Sequence, residues 1–372
     1  MNRQIVSPSY GGDSLEMIFP SIASVMGLPD RVNVLGLPEA KRYVVVLVDG
    51  LGDDLLTQHA DAAPYLSSPL MRRALTCGVP STTATSLTSL GTGLPMGEHG
   101  VVGYTSRVPG TNTRLNVLLW DQDVDPLVWQ PHATVLEEMQ AHGVAASVVN
   151  TAKFEHSGLT RCSQRGVPFY GVDSLWERLE AVLDACEAGE RSVVYTYESS
   201  LDHTGHVHGC TSSQWRDCLT KIDGELRHLR DELPADVALV VTADHGMVDL
   251  PRENRFDMDA VPGLRDDISV FAGEARFRHL HTRSGAAEDV TARWTAELGG
   301  RALVRTREEA ESAGWFGAVS DLARPRIGDV VVAALDDFAV FSSVEFALEM
   351  KIAGFHGSLT PAEMRIPLFI DF

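Results

Sequence analysis

The sequence predicts an α/β protein built on a doubly wound, mostly parallel β-sheet, with a small α+β subdomain inserted late in the chain. Apolar runs rich in β-branched residues alternate with helical patterns, which is typical of successive βαβ units. The runs are almost continuously apolar, as expected for parallel strands covered on both faces. A length of 372 residues with an apolar fraction of 44% suffices for one large core. Length alone would also allow two smaller domains, but no internal repeat or flexible linker divides the sequence, so we interpret residues 1–372 as a single domain.

The main sheet is predicted from four apolar runs, and three helical patterns connect them. The predicted strands are Tyr43–Val48, Ala145–Val149, Ser192–Tyr197 and Val237–Thr242. The predicted helices cover Thr134–His142, Leu175–Ala188 and Ser212–Glu232. In the last helix, Trp215, Leu219, Ile222, Leu226 and Leu229 recur at helical spacing, which indicates a stripe that faces the core.

The segment from about residue 262 to residue 326 has a different pattern and predicts the inserted subdomain. Two strand-like runs, SVFAGE and RFRHLHT, precede a helix, DVTARWTAELGG. A third strand, RALVRT, and a charged helix, REEAESAGW, follow them. The next run, GDVVVAALDDFAVFS, is expected to return the chain to the main sheet. The prediction is one core domain with one insertion.

Composition and charge exclude several classes of partner. A formal net charge of −20 argues against a nucleic-acid polymer, since phosphate backbones are bound by an excess of Lys and Arg. No apolar run approaches the roughly 18 residues of a membrane span, and the N-terminal segment lacks the apolar core of a signal peptide. The five cysteines form no CxxC pair, which favours reduced thiols, and Cys210 is interpreted as a buried structural thiol. We expect a cytoplasmic protein that acts on small molecules.

Six Asp and His residues lie at the ends of strand-like runs or in glycine-rich turns. They are Asp49 after VVVLV, Asp202 and His206 in DHTGHVHG, Asp244 and His245 after ALVVTA, and His356 in GFHGS. Three Asp and three His suffice for two three-residue metal sites with positions left open for substrate. Mixed carboxylate and imidazole ligation suits Zn²⁺, and less often manganese or iron. His203 and His208 remain possible ligands, or groups that orient the ligands.

The candidate nucleophile lies in the hydroxyl-rich segment PSTTATSLTSLGTG. A turn of this kind followed by a helix presents backbone N–H groups and a positive dipole end to an anion. Ser81, Thr82, Thr83 and Thr85 all remain candidates on position alone. The alternative interpretation is a helix N-cap with a Thr-rich first turn.

Taken in order, VVLVDG, PSTTATSLTSLGTGLPMGEHG, DHTGHVHG, TADHGM and GFHG resemble the motifs of the alkaline phosphatase superfamily. The closest resemblance is to the type I phosphodiesterase/nucleotide pyrophosphatase family, over roughly residues 40 to 370. It implies an alkaline phosphatase-like fold and two divalent metal ions. One set of ligands would be Asp202, His206 and His356, and the other would be Asp49, Asp244 and His245 with the nucleophile hydroxyl.

The same resemblance selects the nucleophile. In the family this residue follows a proline by three positions and precedes a Thr-Gly-Leu by nine, which corresponds to Thr83, with Thr82 as the alternative. The Cys-Pro-Arg sequence of the related sulfatases is absent, so a formylglycine sulfatase is not expected.

Two departures from the family pattern concern the substrate. Nucleotide-cleaving members often have a base-stacking aromatic residue directly after the nucleophile, where this chain has Ala84. They also often have a phosphate-contacting Asn at the position of Tyr104, which could donate its hydroxyl to phosphate, stack on a base or pack. Trp120, Trp129 and Tyr170 could form another wall for substrate, although core packing is the favoured interpretation of each.

The resemblance therefore implies hydrolysis of a phosphodiester or phosphoanhydride bond through a covalent threonyl intermediate. A phosphomonoesterase or phosphonate hydrolase of the same superfamily is the nearest alternative, and a cationic side chain near the site would favour monoesters. A metalloenzyme of the phosphoglycerate mutase type fits less well, because that branch has a longer chain and a Ser nucleophile. A non-catalytic metal-binding homologue is the alternative from a different functional class.

Overall fold

The structure is a computed structural model that describes residues 4–68 and 72–372. Its strands are β1 (Arg42–Val48), β2 (Arg72–Thr76), β3 (Thr105–Arg107), β4 (Arg114–Asn116), β5 (Ala145–Asn150), β6 (Phe169–Gly171), β7 (Ser192–Glu198), β8 (Val237–Thr242), β9 (Val248–Asp249), β10 (Arg255–Asp257), β11 (Ile268–Glu274), β12 (Phe277–Thr282), β13 (Ala302–Thr306), β14 (Val330–Ala334), β15 (Ala339–Phe341), β16 (Gly354–Phe355) and β17 (Arg365–Asp371). Its α-helices are α1 (Ile18–Val25), α2 (Asp53–Gln58), α3 (Thr83–Thr92), α4 (Met96–His99), α5 (Pro126–Trp129), α6 (Val135–Ala141), α7 (Gly158–Ser163), α8 (Leu175–Cys186), α9 (Ser200–His208), α10 (Ser213–Glu232), α11 (Ala287–Leu298), α12 (Arg307–Ser312) and α13 (Pro361–Met364).

The main sheet has seven strands in the order β2-β17-β8-β1-β7-β5-β6. Strands β8, β1, β7, β5 and β6 run parallel, whereas β17 is antiparallel to both of its neighbours. Residues 43–48 of the central strand β1 are all buried, which accounts for its unbroken apolar sequence. The predicted mostly parallel α/β sheet is confirmed. The last strand, RIPLFID, was not predicted, because a proline inside an apolar run argues against a strand there.

The inserted segment forms its own antiparallel sheet of four strands in the order β11-β12-β14-β13. The three strands and two helices predicted between residues 269 and 315 are present as β11, β12, β13, α11 and α12. The expected return to the main sheet through residues 328–342 is wrong. Strand β14 pairs with β12 and β13, and β15 pairs with β10. An apolar, fully buried strand has the same sequence pattern in either sheet, so its partner could not be predicted.

Buried polar contacts hold the inserted sheet against the main domain. Arg276 and Glu363, both fully buried, form a bidentate ion pair between the β11–β12 turn and α13. His279 Nε2 donates to the Val102 carbonyl at 2.9 Å, and Arg326 donates to the Gly100 carbonyl at 2.8 Å. The inserted sheet is therefore attached beside the carboxyl ends of the main parallel strands. In the part of the chain that the structure describes, no helix is long and apolar enough to cross a membrane.

Candidate metal centre and active site

The carboxyl ends of three neighbouring parallel strands bring the predicted ligands together. Asp49 follows β1, the pair Asp244 and His245 follows β8, and α9, which follows β7, carries Asp202 and His206. Helix α9 approaches the β1 turn so closely that a Cβ atom on Gly50 would lie 3.1 Å from the Asp202 Cα atom. Gly50 also has a φ of +75°, a conformation that favours glycine. This turn therefore sets Asp49 beside Asp202.

His356 reaches the same place from a distant part of the chain. It follows β16, whose antiparallel pairing with β9 places it beside the turn after β8. Its imidazole ring stacks on that of His245, with ring centroids 3.6 Å apart and an interplanar angle of 11°. All six predicted Asp and His residues thus meet in one cluster.

Each of the three histidines has its Nδ1 atom fixed by a backbone carbonyl. His206 Nδ1 donates to Gly354 at 2.8 Å, and His245 Nδ1 donates to Gly246 at 2.9 Å. His356 Nδ1 donates to Ser81 at 2.9 Å. Because Nδ1 carries the proton in each ring, Nε2 presents its lone pair to the cluster, which is the usual arrangement of a metal-binding histidine.

The distances between ligand atoms divide the cluster into two groups. Nε2 of His206 and of His356 lie 3.3 and 3.7 Å from the Asp202 carboxylate. His245 Nε2 lies 3.4 Å from an oxygen of Asp49 and 3.4 Å from an oxygen of Asp244. Two sets, Asp202 with His206 and His356, and Asp49 with Asp202 and His245, have ligand atoms within 4.8 Å of one another. Asp202 belongs to both sets and lies between them.

Among the described residues, this donor set fits bound cations. Asp49 Oδ1, Asp202 Oδ1 and Asp244 Oδ2 are buried without a hydrogen-bond partner. Burial raises the pKa of Asp49, and the charges of Asp244 and Asp202 raise it further. Burial also raises the pKa of Asp244 and lowers that of His356. Buried carboxylates in contact with one another are stable in the ionised form only if positive charge is supplied, and the arrangement of oxygen and imidazole donors suits divalent metals.

Thr83 is the first residue of α3 and lies at the edge of the ligand cluster. Its Oγ1 atom is 3.2 Å from His245 Nε2. The other candidate hydroxyls differ: Ser81 Oγ donates to the Ser358 carbonyl at 2.6 Å, and Thr85 Oγ1 donates to the Val101 carbonyl at 3.1 Å. Thr82 precedes the helix and lines the same cavity as Thr83. Of the four, Thr83 has its hydroxyl in contact with a predicted ligand.

Comparison with known proteins identifies the family. A model of the type I phosphodiesterase/nucleotide pyrophosphatase family matches residues 43–359. The chain belongs to this family. Two solved structures with the same fold are murine and human ectonucleotide pyrophosphatase/phosphodiesterase 5, each with a TM-score of 0.67 and 18% identity. The match covers 88% of this chain and 87% of each of theirs. A third is an inactive threonine-to-alanine variant of the murine protein in complex with AMP, with the same statistics.

In this phosphodiesterase-family hydrolase, a cavity of about 780 Å³ lies over the ligand cluster. Its floor includes Thr83, Asp49 and Asp202. One wall, from the segment after β5 and from α7, includes Asn150, Lys153, Phe154, Ser157 and Thr160. The lining also includes Tyr104, Glu349, and Glu274 and Ala275 from the end of β11 and the turn that follows it in the inserted sheet. The inserted sheet therefore contributes to the lining of the cavity over the ligand cluster.

The structure also locates the residues that depart from the family pattern. Ala84 is 1% exposed and does not line the cavity, so this residue offers no surface on which a base could stack. Tyr104 lines the cavity, and its hydroxyl oxygen accepts a hydrogen bond from Asn116 Nδ2 at 2.8 Å. Trp129 is buried, as the packing interpretation predicts, whereas Tyr170 is exposed on the surface. His203 lines the cavity but is in neither ligand set.

Three residues of the candidate site in this family member were not predicted from the sequence. The Tyr197 hydroxyl donates to Asp49 Oδ2, Lys153 lines the cavity, and Glu274 lines it from the inserted sheet. A signal existed for Glu274, since a carboxylate that ends an apolar strand was the pattern that identified Asp49. Tyr197 gave no such signal, because a tyrosine in a buried strand looks like core, and Lys153 follows no recognisable motif.

Proposed function

We propose that the protein is a two-metal hydrolase that cleaves phosphodiester or phosphoanhydride bonds through a covalent phosphothreonine at Thr83. The observation that carries this proposal is the 3.2 Å contact between Thr83 Oγ1 and His245 Nε2, at the edge of the buried carboxylate cluster. It is supported by the family to which the chain belongs. It is also supported by the related murine structure, in which a threonine-to-alanine variant is inactive and binds AMP.

The chain offers two ligand groups for divalent ions, of which zinc is the best match and manganese or iron are alternatives. Asp202, His206 and His356 would hold one ion. Asp49, Asp244 and His245 would hold the other, with the Thr83 hydroxyl beside them and Asp202 close to both groups. When bound, two such ions lower the pKa of hydroxyl groups and neutralise charge on phosphoryl oxygens.

The proposed reaction has two steps, attack by Thr83 on phosphorus and hydrolysis of the resulting phosphothreonine. The Thr83 oxygen forms a bond to phosphorus while the bond to the leaving oxygen breaks, and water then cleaves the Thr83–phosphorus bond. The first-turn N–H groups of α3, which begins at Thr83, have no partner within the helix and would be available to phosphoryl oxygens bound beside Thr83. The Nδ1 hydrogen bonds of the histidines keep every Nε2 directed at the cluster, so these ligands need no reorientation during turnover.

We propose a small phosphorylated substrate of the nucleotide class. The cavity has room for a nucleotide, and Phe154 is an aromatic side chain in its wall. Tyr104, which also lines the cavity, is the proposed phosphate or base contact. A phosphomonoesterase is the second candidate function, because Lys153 in the cavity wall could neutralise the additional charge of a monoester.

A cytoplasmic location and the absence of polymeric or membrane partners belong to the same proposal. All five cysteines are free thiols, and four of them are buried. This supports a reducing compartment, in which thiols are not oxidised to disulfides. The net charge of −20 supports small molecules rather than nucleic-acid polymers as partners.

The proposal is tested by comparing hydrolysis of chromogenic p-nitrophenyl diesters and monoesters by the parent protein and a Thr83→Ala variant, with and without added zinc or manganese. The parent is expected to hydrolyse the diester faster when metal is added. Thr83→Ala is expected to lose at least about 10³-fold in kcat while it still binds metal. Parent-like diester hydrolysis by Thr83→Ala would exclude Thr83 as the nucleophile, and faster monoester than diester hydrolysis by the parent would favour the second candidate.

A further inference from the structure

Glu274 is a buried acid in the active-site wall that has no role in the reaction described above. It is the last residue of β11 in the inserted sheet, and it is 7% exposed. It lines the cavity with Thr83, Tyr104 and His356. It belongs to neither metal-ligand group among the described residues.

Glu274 packs directly against the two turns that shape this side of the site. Its Oε2 atom accepts a hydrogen bond from the Tyr104 backbone N–H at 2.9 Å. A Cβ atom on Gly357, which follows His356, would lie 2.7 Å from the Glu274 Cγ atom. A Cβ atom on Gly103 would lie 3.2 Å from Oε2. Two glycines therefore make room for this carboxyl group, which fixes it between the Tyr104 turn and the His356 turn.

The second carboxyl oxygen of Glu274 has no partner. Oε1 is buried without a hydrogen bond among the residues that the structure describes. The nearby guanidinium of Arg278 is engaged elsewhere: it pairs with Glu349 and donates to the carbonyls of Val340 and Gly273. An unpartnered oxygen of this kind is costly unless a ligand completes its hydrogen bonding.

We propose that Glu274 is a further substrate-contacting residue, which donates a hydrogen bond from its carboxyl group to a phosphoryl oxygen of the substrate. This inference rests on the proposed function, because it requires a phosphorylated substrate over the ligand cluster. The inserted sheet would then supply a polar contact to the substrate as well as a wall.

The electrostatic surroundings support the donor form of this carboxyl. Burial raises the pKa of Glu274 to about 8, and the carboxylates of Glu349 and Glu363 raise it as well, while Arg278 lowers it. Arg278 lies on β12 beside Glu274, and Arg276, in the turn between β11 and β12, is neutralised by Glu363. A neutral carboxyl both accepts from the Tyr104 N–H and donates through its own proton. Above a pH of about 8 this donor is lost.

The experiment uses zinc-loaded parent protein with Glu274→Gln and Glu274→Ala, and Glu308→Gln as an exposed acid control from the same insertion. Binding of inorganic phosphate is measured by calorimetry, and kcat/KM is measured for a p-nitrophenyl diester. Zinc content and Tm are determined for each variant. Gln retains both the acceptor and a donor without ionising, whereas Ala removes both.

At about pH 7, Glu274→Ala is expected to weaken phosphate binding and kcat/KM by at least about tenfold, with Glu274→Gln within about threefold of the parent. Between about pH 7 and pH 9, parent kcat/KM should fall relative to that of Glu274→Gln. The control should match the parent throughout.

Three results would overturn the proposal. The first is parent-like phosphate binding and kcat/KM in the Glu274→Ala protein. The second is a Glu274→Gln protein as impaired as Glu274→Ala. The third is a ratio of kcat/KM between the parent and Glu274→Gln that does not change with pH. The last comparison remains decisive if Glu274→Ala fails to fold. If the parent hydrolyses no phosphate ester, the proposed function fails, whereas phosphate binding still tests the contact to Glu274.

Discussion

The Tyr197 hydroxyl donates a hydrogen bond to Asp49 Oδ2, while the other oxygen of this carboxylate, Oδ1, lies beside His245 without a hydrogen-bond partner in the described residues. One oxygen of Asp49 is thus held by the protein and the other is left for a cation. Groups that hold ligands in this way fix the geometry of a metal site before the metal binds.

We therefore predict that Tyr197→Phe weakens binding at the site of Asp49 and His245 by about 10- to 100-fold, because Asp49 loses its fixed orientation. Zinc affinity is measured by competition with a chromophoric chelator. Tyr195→Phe is the matched control, since Tyr195 is on the same strand and its buried hydroxyl has no partner among the described residues. Equal zinc affinities for the two variants would show that Tyr197 has no role in holding Asp49.

The six Asp and His ligand candidates could be predicted from the sequence because Asp49, Asp244 and His245 follow apolar runs, Asp202 and His206 lie in the His-rich segment DHTGHVHG, and His356 lies in a glycine-flanked turn. Thr83 was selected from four hydroxyl residues by the family resemblance and not by its position. Tyr197 and Glu274 could not be assigned roles, because their contacts depend on the register of β7 with β1 and on where the inserted sheet is attached. The local pattern of apolar residues predicts neither the strand register nor the attachment of the inserted sheet.

At the scale of elements, the turn between β11 and β12 is joined to α13 by the Arg276–Glu363 pair. Glu363 also accepts hydrogen bonds from the Ser358 N–H at 3.0 Å and from the Thr360 hydroxyl. The backbone carbonyl of Glu363 accepts from the Gly246 N–H at 2.8 Å. One acidic residue thus connects the inserted sheet, the turn after His356 and the turn after His245.

Glu363→Gln is expected to destabilise the protein by about 3–5 kcal/mol, because it leaves the fully buried Arg276 guanidinium without its counter-charge. Urea unfolding measures the loss. Replacing both partners, by Arg276→Met with Glu363→Met, should cost less than Glu363→Gln alone. A free energy of unfolding within about 0.5 kcal/mol of the parent for Glu363→Gln would contradict the assigned role.

Four of the seven main-sheet strands, β1, β5, β7 and β8, were predicted to within one residue at either end, because parallel strands covered on both faces have long β-branched runs. Strand β14 has the same composition and was assigned to the wrong sheet. Its place is decided by tertiary pairing with β12 and β13, which a single run of valines does not specify. The fold class could therefore be predicted from the sequence, whereas the extent of the insertion could not.

At the scale of the whole molecule, the candidate site lies where two sheets meet. Most of the candidate metal ligands follow strands of the main sheet at its carboxyl edge, Thr83 begins helix α3, and residues of the inserted sheet line one side of the cavity. Because ligands come from residues 49 to 356, bound metal would connect segments that are far apart in sequence and would stabilise the folded chain.

Removal of metal with a chelator is expected to lower Tm, since each site contributes about 2.7 kcal/mol when free metal is at a hundredfold excess over its Kd. His206→Gln should lose one bound zinc ion per chain. Asp202→Asn should weaken both sites, because the Asp202 carboxylate has ligand atoms within 4.8 Å of those of His206 and His356 and also of those of Asp49 and His245. Elemental analysis of zinc content and a Tm measurement for each variant check these expectations. Equal zinc content in the two variants would show that Asp202 serves only one ion.

The central claim is that Thr83 carries the phosphoryl group during turnover. Acid quenching of the metal-loaded protein during hydrolysis of the p-nitrophenyl ester of a nucleoside monophosphate, followed by peptide mass spectrometry, tests it directly. The expected result is a nucleotidyl adduct on Thr83 that is absent from the Thr83→Ala protein. Steady turnover with no adduct at any time point, or an adduct on Thr82, would contradict the claim.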